Sequence, residues 1–162
     1  MKRDTKLLLI ATVATIAFLL IPAMIQSPLT EASNLIASFE GFSPSPYWDV
    51  SRWSWGYGTP APGPTGTITQ EQALWELQTH SKKDYQYLQS IITRPLNTNQ
   101  WAALLSFAYN EGVGNAAKLA ANTNSGNDAA LETEWNKYIY AGGVVNQSLI
   151  DRRAKEFAIW QS

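Results

Sequence analysis

Apolar and polar positions divide this chain into three parts: a continuous apolar stretch, an aromatic segment broken by proline and glycine, and a series of helical periodicities. The apolar stretch, Leu7 to Ile25, carries no charged residue and follows a basic start at Lys2, Arg3 and Lys6. At about 19 residues it would span roughly 28 Å as a helix, close to the hydrocarbon thickness of a bilayer. Its apolar character runs all round the helix, which disfavours the alternative of a buried N-terminal core helix. The basic flank predicts a cytoplasmic start with the remainder outside. Three readings compete. A cleavable signal peptide has a shorter apolar region and a small-residue cleavage site, for which Thr30-Glu31-Ala32 is a candidate. A permanent signal anchor fits the length. A third kind of segment leaves the bilayer again, which suits the moderate apolarity given by Thr12, Thr15 and the alanines at 11, 14, 17 and 23.

Beyond this segment, Ser27 to Ser33 reads as a linker with candidate caps at Thr30 and Ser33. Leu29, Ala32, Leu35, Ile36 and Phe39 fall at helical spacing and predict a short helix that Gly41 ends. Ser43 to Pro64 holds too many prolines and glycines for a helix, and its aromatic clusters predict strands in a small hairpin. Thr69 with Gln72 forms a capping box for a helix from Gln70 to about Ile92, broken by Pro95. Thr98 is the expected cap of a helix from Asn99 to about Asn110, whose Trp101, Leu104, Leu105, Phe107 and Ala108 predict a central, buried element. A short helix over Ala116 to Ala121, a polar loop from Asn122 to Asn127, a helix from Asp128 to about Tyr140 stopped by Gly142-Gly143, and a last helix from Gln147 to Trp160 complete the prediction. The expected fold class is α+β and mostly helical: a helical body with a small β-hairpin near its start, preceded by a hydrophobic helix. Residues 1–28 form the anchor segment and linker, and 29–162 one domain.

Composition narrows the chemistry. A chain of 162 residues can bury a substantial core. A net charge of -1 gives no nucleic-acid footprint. The absence of cysteine excludes disulfides, thiolate catalysis and Cys-based zinc sites. The single histidine, His80, excludes a multi-His metal site and reads as a surface residue on its helix. Carboxylates are therefore the acid–base candidates at neutral pH.

Phe39 to Thr59 concentrates them. Glu40 stands where an apolar helix gives way to glycine, a place where burial can favour the protonated acid. Asp49 lies in a more polar stretch, and Ser54 supplies a hydroxyl before the turn Gly56-Tyr57-Gly58. Tyr47, Trp48, Trp53, Trp55 and Tyr57 surround them, either as hairpin and core pairs or as flat faces for sugars. Two carboxylates in contrasting environments suit glycoside hydrolysis, with one as general acid and one as base or nucleophile. Glu111 reads as a helix-end residue, and Arg152 and Arg153 as structural partners of Asp151 or Glu156.

Phe39-Glu40-Gly41, Tyr47, Asp49 and Gly56-Tyr57-Gly58 together resemble the start of phage-type lysozymes, glycoside hydrolase family 24. Thr67 to Ala73 resembles the family's entry to its long helix, Asn97 to Asn110 its central helix, and Ala141 to Val144 with Ile150 to Glu156 its C-terminal end. In that family eight residues separate Glu from Asp and five separate Asp from Thr. Here eight separate Glu40 from Asp49, but four separate Asp49 from Ser54, so a one-residue deletion in the hairpin aligns Ser54 with the threonine. Thr59 stands where the family usually has histidine, and Asn115 to Leu119 also departs from its pattern.

The resemblance implies a lysozyme-like fold and hydrolysis of the β-1,4 bond between N-acetylmuramic acid and N-acetylglucosamine in bacterial peptidoglycan, ending in host lysis. It implies catalytic roles for Glu40, Asp49 and Ser54, sugar contacts from Tyr47, Trp48, Trp55 and Tyr57, no cofactor or metal, and a monomer. Some similar endolysins carry a signal-anchor-release segment. By that analogy residues 7–25 would be inserted by the Sec translocon, hold the enzyme on the periplasmic side of the inner membrane, and later release it to the periplasm. A lytic transglycosylase using Glu40 alone and a non-catalytic, membrane-anchored wall-binding protein are the competing readings.

Overall fold

Eight consecutive residues, Trp101 to Ala108, are buried on every side of one helix, and the fold is arranged around it. A computed structural model describes residues 27–162; the apolar segment at 7–25 lies outside the described residues. Among the described residues, no helix is long and apolar enough to cross a membrane.

The elements follow in chain order: α1 (Pro28–Ala37), β1 (Ser43–Asp49), β2 (Arg52–Gly56), β3 (Thr59–Pro60), α2 (Gln70–Ile91), α3 (Thr98–Glu111), α4 (Val113–Lys118), α5 (Ala120–Ser125), α6 (Asp128–Trp135), β4 (Tyr140–Ala141), β5 (Val144–Val145) and α7 (Gln147–Trp160). α3 packs against α1, α2, α4 and α7. Phe107, Leu104, Leu131, Trp135, Phe157 and Trp160 anchor the main core, with aromatic rings meeting edge to face at Phe107–Trp135 and Trp135–Phe157. A smaller cluster of Ile36, Tyr57, Ile68, Ala73 and Leu77 joins the three-stranded antiparallel sheet to α1 and α2.

Several expected boundaries hold. The Thr69–Gln72 capping box opens α2, and α7 spans the expected residues. Others shift for identifiable reasons. Ser27, rather than Thr30 or Ser33, caps α1, accepting from the Thr30 backbone N–H with Pro28 in the first turn. α1 ends at Ala37, and Gly41 lies beyond a Ser38–Glu40 turn in which the Glu40 N–H donates to the Ile36 carbonyl. Asn97 caps α3 in place of Thr98, with Gln100 completing its box. The segment expected as a polar loop forms α5. Its Asn124 is tied to the end of α2, accepting from the Thr93 N–H and donating to the Ile91 carbonyl. The helix expected to reach Tyr140 stops at Trp135, and Gly142-Gly143 forms the turn of the hairpin β4–β5, with both glycines at positive φ.

Candidate active site

Glu40 leaves the end of α1 just before the chain enters the sheet. Its carboxylate accepts a 2.7 Å hydrogen bond from Nη1 of Arg152, which reaches it from α7. The pair is unequal in exposure: Arg152 is buried, while the Glu40 side chain retains 31% of its surface. Arg152 also lies over the Phe39 ring, 4.6 Å from its centroid, and its Nε donates to Glu156 at 3.1 Å. The expectation that Arg152 and Arg153 pair with helix carboxylates holds for Glu156, but Asp151 accepts from Gln147 instead. Glu111 closes α3 and lies 3.4 Å from Nη1 of Arg153.

Strand register assigns the hairpin side chains to faces. Tyr47 pairs with Ser54, Trp48 with Trp53, and Asp49 with Arg52. Side chains directly opposite in an antiparallel pair share a face, and faces alternate along each strand. Tyr47, Asp49, Arg52 and Ser54 therefore share one face, and Trp48, Trp53 and Trp55 the other. Asp49 and Ser54 are thus brought to the same side. Ser54 is fully buried, and among the described residues its hydroxyl has no hydrogen-bond partner. The Tyr47 phenol is pushed above its usual pKa by burial and then by the negative charges of Asp49 and Glu40, so both carboxylates act on one ring.

Tyr109, near the end of α3, completes this neighbourhood and was not singled out from sequence. Its hydroxyl donates to the Tyr57 carbonyl at 2.8 Å, and its pKa is also raised by burial, then by Glu40 and Tyr47. Gly58 leaves room for both phenols: a Cβ there would stand 3.1 Å from the Tyr109 hydroxyl and 3.9 Å from that of Tyr47. Helical periodicity marked Tyr109 only as part of a buried helix, because nothing local in its sequence points to residues fifty positions away. His80 is exposed as expected, with its ring edge on to Tyr109.

The four expected sugar contacts lie in different surroundings. Tyr57 is only 8% exposed, and its ring packs in the smaller core against Phe42. Trp55 faces α2, where its indole N–H and the Thr59 hydroxyl both donate to Glu76, at 2.9 and 2.7 Å. Trp48 is 60% exposed but stands edge to face with Trp53 on the side away from Asp49. Tyr47, 39% exposed, is the aromatic ring on the carboxylate face. Among the described residues, no cluster of acidic and histidine side chains is arranged to hold a metal ion.

A helical body, a small sheet and a carboxylate at their junction are the features of a lysozyme-like fold. The family model described as phage lysozyme matches residues 37–156, and the chain belongs to that family. Among proteins of known sequence it is similar to the endolysin of Bacillus phage PZA, 33% identical over 136 residues, covering 80% of this chain and 53% of that protein. The chain spans about half the length of the curated relatives it matches. Among solved structures it resembles the muramidase domain of SpmX from Asticaccaulis excentricus, with a TM-score of 0.74 and 25% identity over 81% of this chain and 95% of that one. It also resembles the endolysin from Escherichia coli O157:H7 phage FAHEc1, with a TM-score of 0.70 and 27% identity over 80% and 90% of the two chains.

Proposed function

We propose that this protein is an endolysin that hydrolyses the β-1,4 bond between N-acetylmuramic acid and N-acetylglucosamine in peptidoglycan, and so lyses the host cell. The observation that carries the reading is the grouping of Glu40, Asp49 and Ser54 around Tyr47 in a chain of the phage lysozyme family. In this reading Glu40 protonates the glycosidic oxygen, which leaves as the 4-hydroxyl of N-acetylglucosamine. Water attacks C1 of the muramic residue from the opposite face and gives up its proton to Asp49, so the configuration inverts. By the family resemblance Ser54 is assigned the orientation of that water; among the described residues its buried hydroxyl has no hydrogen-bond partner. Tyr47 offers a partly open ring on the same face and is the expected sugar contact best placed beside the carboxylates.

The apolar segment 7–25 completes the proposal. Inserted by the Sec translocon, it would hold the domain at the periplasmic side of the inner membrane until release. Its lack of charge and its basic flank support this.

The direct test is turbidity clearing of outer-membrane-stripped Gram-negative cells by purified protein, beside Glu40→Gln, with products analysed by mass. Clearing by wild type alone, with reducing muramic ends, is expected. Anhydro ends would instead identify a lytic transglycosylase. Absence of clearing by folded wild-type protein would turn the reading toward wall binding without catalysis.

A further inference from the structure

An arginine at 2.7 Å from Glu40 poses a chemical problem. A general acid must hold its proton until the bond breaks, whereas a neighbouring guanidinium favours the ionised carboxylate. The surroundings of Arg152 suggest how both demands are met. Its Nη1 goes to Glu40, its Nε to Glu156 at 3.1 Å and its Nη2 to the Ser106 carbonyl at 3.4 Å. The guanidinium is clamped from behind, with one N–H aimed at the site.

Glu156 is the centre of the clamp. It is fully buried. One carboxylate oxygen accepts from the Ser106 hydroxyl at 2.7 Å and from Arg152; the other accepts from the Trp135 indole at 3.2 Å and lies 3.1 Å from Nε of Arg153. Burial pushes this carboxyl toward its protonated form, and Arg153, Ser106 and Arg152 oppose that. Its neighbours are guanidinium, indole and hydroxyl groups directed at it as donors, so the geometry suits the carboxylate. Arg153 continues outward to Asn110 at 2.6 Å and Glu111 at 3.4 Å. Glu40, Arg152, Glu156, Arg153 and Glu111 thus form a chain of alternating charge through the body.

We propose that Glu156 is a positioning residue for Glu40: it fixes Arg152 in place and divides its charge, so that Arg152 orients the Glu40 carboxyl without drawing off the proton the reaction needs. The proposal rests on Glu40 being the proton donor. The other charged or titratable groups around Glu40 are Tyr47 and, beside it, Asp49 on β1, Arg52 on β2, Tyr109 on α3, and Lys155, which reaches Ser38 from α7. Those around Glu156 are Arg152 and Arg153 on its own helix, with Ser106 from α3 and Trp135 from α6 as neutral partners.

The experiment uses the full chain. The Glu40 carboxyl is followed by ¹³C NMR through a pH titration, assigned with Glu40→Gln, in wild type and in Glu156→Gln. With Glu156 neutral, the whole charge of Arg152 acts on Glu40, and its midpoint should fall by about one pH unit. The alkaline limb of the kcat profile should move down by the same amount. At a fixed pH on that limb kcat then drops about tenfold with KM unchanged, and recovers on acidification. An unmoved Glu40 titration, or a pH-independent loss of kcat, overturns the proposal and leaves Glu156 as a fold residue only. If Glu156→Gln does not fold, Glu111→Gln at the outer end of the chain replaces it. A smaller fall of the Glu40 midpoint is expected there, and no fall overturns the proposal. Activity surviving in Glu40→Gln would instead sink the proton-donor reading, an outcome separate from the titration.

Discussion

The helical body and the sheet lobe of this protein are held together in different ways. The body is built from large side chains in mutual contact around α3, and it seals an ion-pair chain among them. The lobe has a cluster of five buried hydrophobic residues and relies on a few specific contacts, chiefly Gly56 against Ala73 and Glu76 under Trp55 and Thr59. The candidate site draws Arg152 and Tyr109 from the body, and Asp49, Ser54 and Tyr47 from the lobe. Glu40 sits on the connection between them. Damage to the body should therefore unfold the protein, whereas damage to the lobe should disable the site first.

The largest effect is expected in the body. Trp135 is fully buried among Phe107, Phe157 and Trp160, and its indole N–H bonds Glu156. Trp135→Ala should cost about 3–5 kcal/mol in denaturant unfolding, through the cavity and the lost donor together. A loss below about 1 kcal/mol would show that the body can repack and would weaken the contrast.

Gly56→Ala comes next. Gly56 has φ +58°, and a Cβ there would meet the Ala73 Cβ at 2.8 Å, so the substitution is strained in both backbone and packing. A cost of about 2–3 kcal/mol is expected. Amide exchange should quicken in β1–β3 before α3 and α7. Equal loss of protection in both regions would mean that lobe and body unfold as one unit.

How far the sequence exposed this architecture depended on how local each signal was. The start of α2 was legible because Thr69 and Gln72 satisfy each other within one turn. The β4–β5 hairpin was legible in principle, since Gly142-Gly143 is a two-residue hairpin turn, but the preceding helical pattern led to reading it as a stop. The face of the tryptophans also followed from strand period: Trp48 and Asp49 are adjacent in the chain and so must point to opposite sides. Contacts between distant segments were beyond reach. Glu40 and Arg152 are separated by 112 positions, and no spacing rule in one chain links them. The deep burial of Ser54 depends on packing that its strand pattern alone does not specify.

The smallest effect concerns the tip of the β1–β2 hairpin and refines the contrast within the lobe itself. Val50 has φ 50°, a left-handed conformation that β-branched residues avoid, and the Ser51 N–H donates to the Asp49 carbonyl across it. Its side chain is 93% exposed, so no burial offsets the strain. Val50→Gly removes a backbone penalty of about 1–2 kcal/mol and adds about 0.5–1 kcal/mol of unfolded-state entropy, for a net gain of about 0.5 kcal/mol. That gain should show as slower amide exchange in the strands beside the turn and as a rise of about 0.5 kcal/mol in the global unfolding free energy. Because Asp49 ends β1 at this turn, clearing activity measured on the same variant asks a second question. Activity that rises or holds with the relaxed turn means Asp49 is placed by strand pairing with Arg52. Activity that falls, while the hairpin is more protected, means the strained turn itself aims the carboxylate.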